Sequence, residues 1–180
     1  MSVISMIPYA ALVAAGGFSL DASTTCHTYP GMMRCGIGEV EHISFVGQVS
    51  TMGTQVQKST DVKGLFSANQ STFHDVDIHG KADMHQCQVG GDFNISGYLS
   101  SDRCHFGSIS ANSNRIKLTD TVVDSMQIRS DSTGPELHLI GKTEVRGNID
   151  FLGYPGKIFC SKSSSIQGQV YGAEVIFINT

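Results

Sequence analysis

Residues 87–106 read CQVGGDFNISGYLSSDRCHF. The two cysteines, Cys87 and Cys104, lie 17 positions apart, and so do Val89 and Phe106, each two residues beyond its cysteine. The interval continues in both directions. Gly47, Gly64, Gly80, Gly97 and Asn114 are separated by 17, 16, 17 and 17 residues. Two positions after these markers stand Val49, Phe66, Ala82, Leu99 and Ile116. Nine positions after them stand Val56, Phe73, Val89, Phe106 and Val123. The seventh position is always small: Thr54, Ser71, Cys87, Cys104 and Thr121. Further apolar pairs follow in step, among them Val76 and Ile78, Phe93 and Ile95, and Met126 and Ile128.

Each unit holds short alternating runs such as FHDVDIHG and DFNISG. Alternation marks a strand with one face inward. One unit has too few apolar side chains to bury that face by itself. Stacked units share a continuous core, and every strand pairs with those above and below it. Gly and Asn at a fixed place suit corners that need positive φ. The chain is therefore expected to be all-β, a single-stranded parallel β-solenoid with 16–17 residues per coil. Two or three short strands per coil and seven or eight coils are expected, with Val49, Phe66, Leu99, Ile116, Val56, Phe73, Val89, Phe106 and Val123 as the structural core. Gly47, Gly64, Gly80, Gly97 and Asn114 are the expected corners. A helical repeat fits poorly, because Gly, Asn, Ser and β-branched residues fill the units and no helical stripe appears.

Outside this region the pattern frays. RSDSTGPE (129–136) reads as a loop, and LGYPGK interrupts the series before Ile158. Residues 23–42 do not fit the repeat and are expected to cap the first coil, with the solenoid running over 43–180. The final EVIFINT carries few charges for a cap, so an apolar terminal strand is expected to stack on another subunit. Residues 1–22 contain an apolar run, Val3 to Val13, of the length of a signal-peptide core and too short to span a bilayer. No Lys or Arg precedes it. Export to the periplasm or cell envelope is the expectation, with a cytoplasmic location if the leader is not a signal.

The chain has 180 residues, 20 of them glycine and none tryptophan, and a net charge of −4. Its 12 Lys and Arg are scattered, which argues against nucleic acid as a partner. Of the five cysteines, Cys26 and Cys35 close a small loop around Pro30-Gly31, where a disulfide forms easily in an oxidising compartment. Cys87 and Cys104 share a column on consecutive coils. They can be bridged, or they can be a stack of small thiols with no bond. An odd count leaves at least one thiol over.

The elements Val145-x-Gly147-x-Ile149 and Ile166-x-Gly168-x-Val170, together with the series from Gly47 to Asn114, resemble the bactofilins, polymer-forming β-solenoid proteins of bacteria, and their small envelope relatives. The likeness covers roughly residues 43–178. It implies self-association and a scaffolding role, with no cofactor and no catalytic residue. The apolar leader and the five cysteines depart from typical cytoplasmic bactofilins and align the chain with exported relatives.

Candidate chemistry is sparse. His74, His79, His85 and His105 lie near Cys87 and Cys104, but no CxxC or HExxH spacing occurs, and alternation places several of these histidines outside. Asp75, Asp77, Asp83 and Asp92 could line one face of a carbohydrate-active solenoid, although the chain is short for a cleft-bearing enzyme. The expected function is non-enzymatic. The chain would be a structural or assembly protein of the bacterial envelope, self-associating or serving in a larger complex such as a secretion-system outer-membrane assembly. Its partners would be further copies or other envelope proteins, with peripheral membrane association allowed and no transmembrane span in the mature chain. The alternative is a β-helix that binds or processes surface polysaccharide.

Overall fold

The computed structural model describes residues 25–131 and 134–179. The leader expected over residues 1–22 lies outside them. Among the described residues sixteen strands form one continuous sheet. They are β1 (Cys26–Tyr29), β2 (Met32–Cys35), β3 (Gly38–Met52), β4 (Thr54–Asn69), β5 (Thr72–His85), β6 (Gln88–Asp102), β7 (His105–Asn112) and β8 (Arg115–Thr119), followed by β9 (Val122–Ser130), β10 (Glu136–Ile140), β11 (Glu144–Val145), β12 (Ile149–Gly153), β13 (Gly156–Ser161), β14 (Ser165–Ile166), β15 (Val170–Tyr171) and β16 (Ala173–Ile178). Among these described strands only β1 and β2 pair antiparallel; every other pairing is parallel. The result is a parallel β-solenoid of about nine turns.

The register follows the sequence columns. Val56 pairs with Phe73, Phe73 with Val89, Val89 with Phe106 and Phe106 with Val123. The other column runs Val49, Phe66, Ala82, Leu99, Ile116. All ten residues are buried. Two more ladders fill the prism. Thr60, Val76, Phe93, Ile109 and Met126 form one, and Val62, Ile78, Ile95, Ala111 and Ile128 the other. Aromatic edges interlock between ladders: the rings of Phe66 and Phe73 lie 5.5 Å apart at 71°, and those of Phe93 and Phe106 5.1 Å apart at 69°. Such edge-to-face contacts add about 0.5–1.5 kcal/mol beyond burial.

The turn count, about nine, exceeds the seven or eight expected, and three details also differ from the sequence expectation. The first turn starts at Gly38, not residue 43, because Gly38 to Val40 already pair with Thr54 to Val56. Strands in the early turns are long, as in the 16-residue β4, because the chain bends at glycine without breaking its hydrogen-bond ladder. The third concerns the 16-residue interval. One residue is lost at a bulge between the ladders, where Val56 and Ser59 face Phe73 and Asp75.

Candidate functional site

The turns have two corners of different construction. At the first, Gly47, Gly64, Gly80 and Gly97 hold φ values of 134°, 141°, 144° and 140°. A Cβ on Gly64 would collide with the carbonyl oxygen of Gly47, one on Gly80 with that of Gly64, and one on Gly97 with that of Gly80. Glycine is needed here both for the conformation and for the close approach of stacked backbones.

Asn114 does not continue this corner, and the expectation for it is corrected. It has no positive φ. Between the paired positions Ser96 and Leu99 the chain has two residues, but between their partners Asn112 and Ile116 it has three. The added residue relaxes the corner. Ser113 supplies the turn: its hydroxyl accepts from the Arg115 N–H at 3.1 Å and lies 2.9 Å from the Arg115 carbonyl, to which it donates.

The second corner was not legible as such. Gln70, Gln86, Arg103 and Asp120 adopt left-handed φ of 47–52°, and Gly53 and Gly141 take the same place at 65° and 64°. The small column follows directly. Ser71, Cys87, Cys104 and Thr121 each donate from oxygen or sulfur to the carbonyl two residues back, at 2.8, 3.3, 3.4 and 2.8 Å. Oxygen and sulfur also accept from the turn below. The Thr54 N–H reaches Ser71 Oγ at 3.2 Å, the Cys87 N–H reaches Cys104 Sγ at 3.4 Å, and the Cys104 N–H reaches Thr121 Oγ1 at 3.3 Å. Every such N–H is buried, so the side chain prevents an orphan donor.

The sulfurs of Cys87 and Cys104 are therefore free thiols, and a disulfide between them is not formed. Each sulfur is committed to this corner network. Their mutual hydrogen bond and burial together push the Cys104 thiol far above its usual range. Cys160 is also free and is raised by burial. Cys26 and Cys35 do form a disulfide. They stand opposite each other in the β1–β2 hairpin.

The histidines do not converge. His74 and His79 are exposed and His85 and His105 half-buried, each beside a carboxylate: Asp75, Asp77, Asp102 and Asp124 respectively; the Nε2 of His105 is itself buried and has no hydrogen-bond partner. Among the described residues no three His, Cys, Asp or Glu gather in a way that could hold a metal. The four aspartates expected on one face have separate partners. Asp75 accepts the Asp92 N–H, Asp92 accepts the Ser108 hydroxyl, and Asp77 and Asp83 lie against His79 and Lys81.

The remaining feature is the distribution of exposed apolar side chains. Tyr29, Ile37, Val46, Met52 and Leu65 belong to the N-terminal end, and Leu152, Tyr154, Tyr171 and Phe177 to the last two turns. No other large apolar residue is exposed among the described residues, so the turns between Leu65 and Leu152 present a polar side wall. The two ends differ. At the N-terminal end the disulfide-closed hairpin folds over the first turn: β2 pairs with Gln48–Thr51 of β3, and the Gln48 N–H bonds the Gly31 carbonyl at 2.9 Å. Among the described residues nothing lies over β14, β15 and β16 at the C-terminal end, where they pair with β11, β12 and β13 below. Val145, Ile149 and Ile158 are fully buried, whereas Ile166, Val170 and Val175, stacked on them, are only half-buried. Phe177, above the buried Cys160, is 73% exposed.

No described helix is long and apolar enough to cross a membrane. Comparison with known proteins returns no match to this chain from family models, curated proteins or solved structures.

Proposed function

We propose that this chain is a non-enzymatic structural or assembly protein of the bacterial envelope, acting through the ends of its solenoid. The observation that carries this reading is the confinement of exposed large apolar side chains to the two ends. Apolar surface gathered in one place marks an interaction site, and a terminal β edge is a template for another strand. A location outside the cytoplasm is supported by the Cys26–Cys35 disulfide and by the apolar run from Val3 to Val13. The likeness of Val145-x-Gly147-x-Ile149 and Ile166-x-Gly168-x-Val170 to bactofilin coil elements agrees with a scaffolding role.

The test is cross-linking in the source cells followed by isolation of the chain. Recovery in assemblies larger than one chain, from the envelope fraction, is the expected result. A chain that is monomeric throughout and retains surface polysaccharide would replace this reading with the carbohydrate-binding one.

A further inference from the structure

We infer that Cys87 and Cys104 form a two-coordinate site for one soft monovalent metal ion, of which Cu(I) is the type, held between neighbouring turns of the solenoid. The site does not depend on the assembly reading above.

The fold does not require sulfur at these positions. Ser71 and Thr121 occupy the same column and bond the carbonyl two residues back at 2.8 Å, whereas the two thiols reach theirs at only 3.3 and 3.4 Å. Two successive turns thus carry the weaker group for the corner, and it is the group that soft metals prefer. Both cysteines follow a left-handed residue, Gln86 at 52° and Arg103 at 51°, and both aim their sulfur at the equivalent carbonyl. Like-oriented side chains on neighbouring turns are offset by one strand separation, about 4.8 Å. Two metal–sulfur bonds of about 2.3 Å laid end to end span about 4.6 Å. A linear ion fits that gap with little movement of either side chain. A disulfide, with about 2.05 Å between sulfurs, would pull both off their hydrogen bonds.

The polar surroundings suit two thiolates. On binding, each thiol gives its proton to water and two sulfur–metal bonds form, so that one positive ion and two thiolates leave a single negative charge. The sulfurs already have donors: the Ser71 N–H bonds Cys87, and the Cys87 N–H reaches Cys104 Sγ at 3.4 Å. Hydrogen bonds of this kind orient a ligand for its metal. Loss of the thiol protons orphans nothing, because the two carbonyls keep other donors. The Gln70 N–H bonds the His85 carbonyl and the Gln86 N–H that of Asp102, both at 2.9 Å.

Access and coordination number point the same way. The cysteines are only 3% and 4% exposed, yet both line a cleft of about 380 Å³ together with Gln70, Gln86 and Arg103, which admits a small ion and little else to the sulfurs. Among the described residues no third His, Cys, Asp or Glu joins them in a metal-holding group. Two-coordination needs none, whereas Zn(II) takes four ligands.

The test titrates the full chain, its Cys26–Cys35 disulfide intact, with Cu(I) kept reduced by ascorbate and against a chromogenic Cu(I) chelator. The parent should take one ion per chain, with two sulfur neighbours by X-ray absorption. Cys87→Ser and Cys104→Ser should each bind at least about a hundredfold more weakly, since a second tethered ligand adds about 10²–10⁴ in affinity. Without metal, both should keep the parent's circular dichroism, because serine serves the corner. Cys160→Ser should bind like the parent. Cu(I) should raise the melting temperature of the parent and of Cys160→Ser and leave the other two variants unchanged. Excess Zn(II) should not displace the ion. No uptake by the parent, serine variants at 87 and 104 that bind like it, or loss of the ion in Cys160→Ser would overturn the site. So would displacement by Zn(II), more than two sulfur neighbours, or a parent isolated with Cys87 and Cys104 already bridged.

Discussion

Single side chains show how unevenly the core is filled. Phe106 is fully buried, stacked between Val89 and Val123 and edge-on to Phe93. Phe106→Ala removes a ring that its neighbours in a parallel ladder cannot follow inward, because their backbones are held at the strand spacing. A loss of about 3–5 kcal/mol is expected, read as a lowered denaturation midpoint; an unchanged midpoint would show that the ladder does not carry the core. Thr60 offers the opposite case. It is buried in a ladder next to Val76, and its hydroxyl has no hydrogen-bond partner. Thr60→Val keeps the shape and removes a polar atom isolated from water. It should stabilise by about 1 kcal/mol or more, measurable in the same denaturation experiment. The polar intruder was not legible from periodicity, because threonine fits the alternation of a strand as well as valine does.

At the scale of the element, the left-handed corner explains the cysteines. The column needs an atom that donates to the carbonyl two residues back and accepts a buried N–H from the neighbouring turn. Hydroxyl and thiol both serve, and the thiol serves less well at 3.3–3.4 Å than the hydroxyls of Ser71 and Thr121 at 2.8 Å. Cys104→Ser should therefore match or exceed the parent in thermal stability. Cys104→Val, which leaves the Cys87 N–H unpaired, should cost about 1–3 kcal/mol. Equal melting of the two variants would mean that the network contributes nothing. The small column was readable in the sequence, and its chemistry was not. The left-handed position before it holds Gln70, Gln86, Arg103 and Asp120, none of them the Gly or Asn that usually announces such a conformation. The glycine corner was legible through Gly97 and misread at Asn114. A bulge deletes one residue on that turn and the corner restores it, so the count from marker to marker stays at 17 while the alignment slips between them.

Across the whole molecule, legibility follows repetition. The stacking direction, the register and the buried ladders came from spacing alone, since a parallel solenoid repeats its local interactions along one axis. Departures from the period carried less signal. The hairpin over the first turn and the uncovered last turn each occur once. Stability should follow the same geometry. A turn in the middle is held on two sides and a terminal turn on one, as expected for a nearest-neighbour array. Amide hydrogen exchange should be slowest over β4 to β7 and fastest over β14 to β16, with the N-terminal end protected by its hairpin. Uniform protection from end to end would show that the solenoid opens only as a single unit.

The stacked glycines have a consequence for how such a molecule can change in size. Gly47, Gly64 and Gly80 meet at the same corner with the same conformation, and each turn between them satisfies its own backbone against its neighbours. A segment copied from one of these glycines to the next would insert without a new joint and move the two ends apart by one strand separation, about 4.8 Å. The chain is in this sense an adjustable ruler: duplication alters the span and leaves the tips untouched.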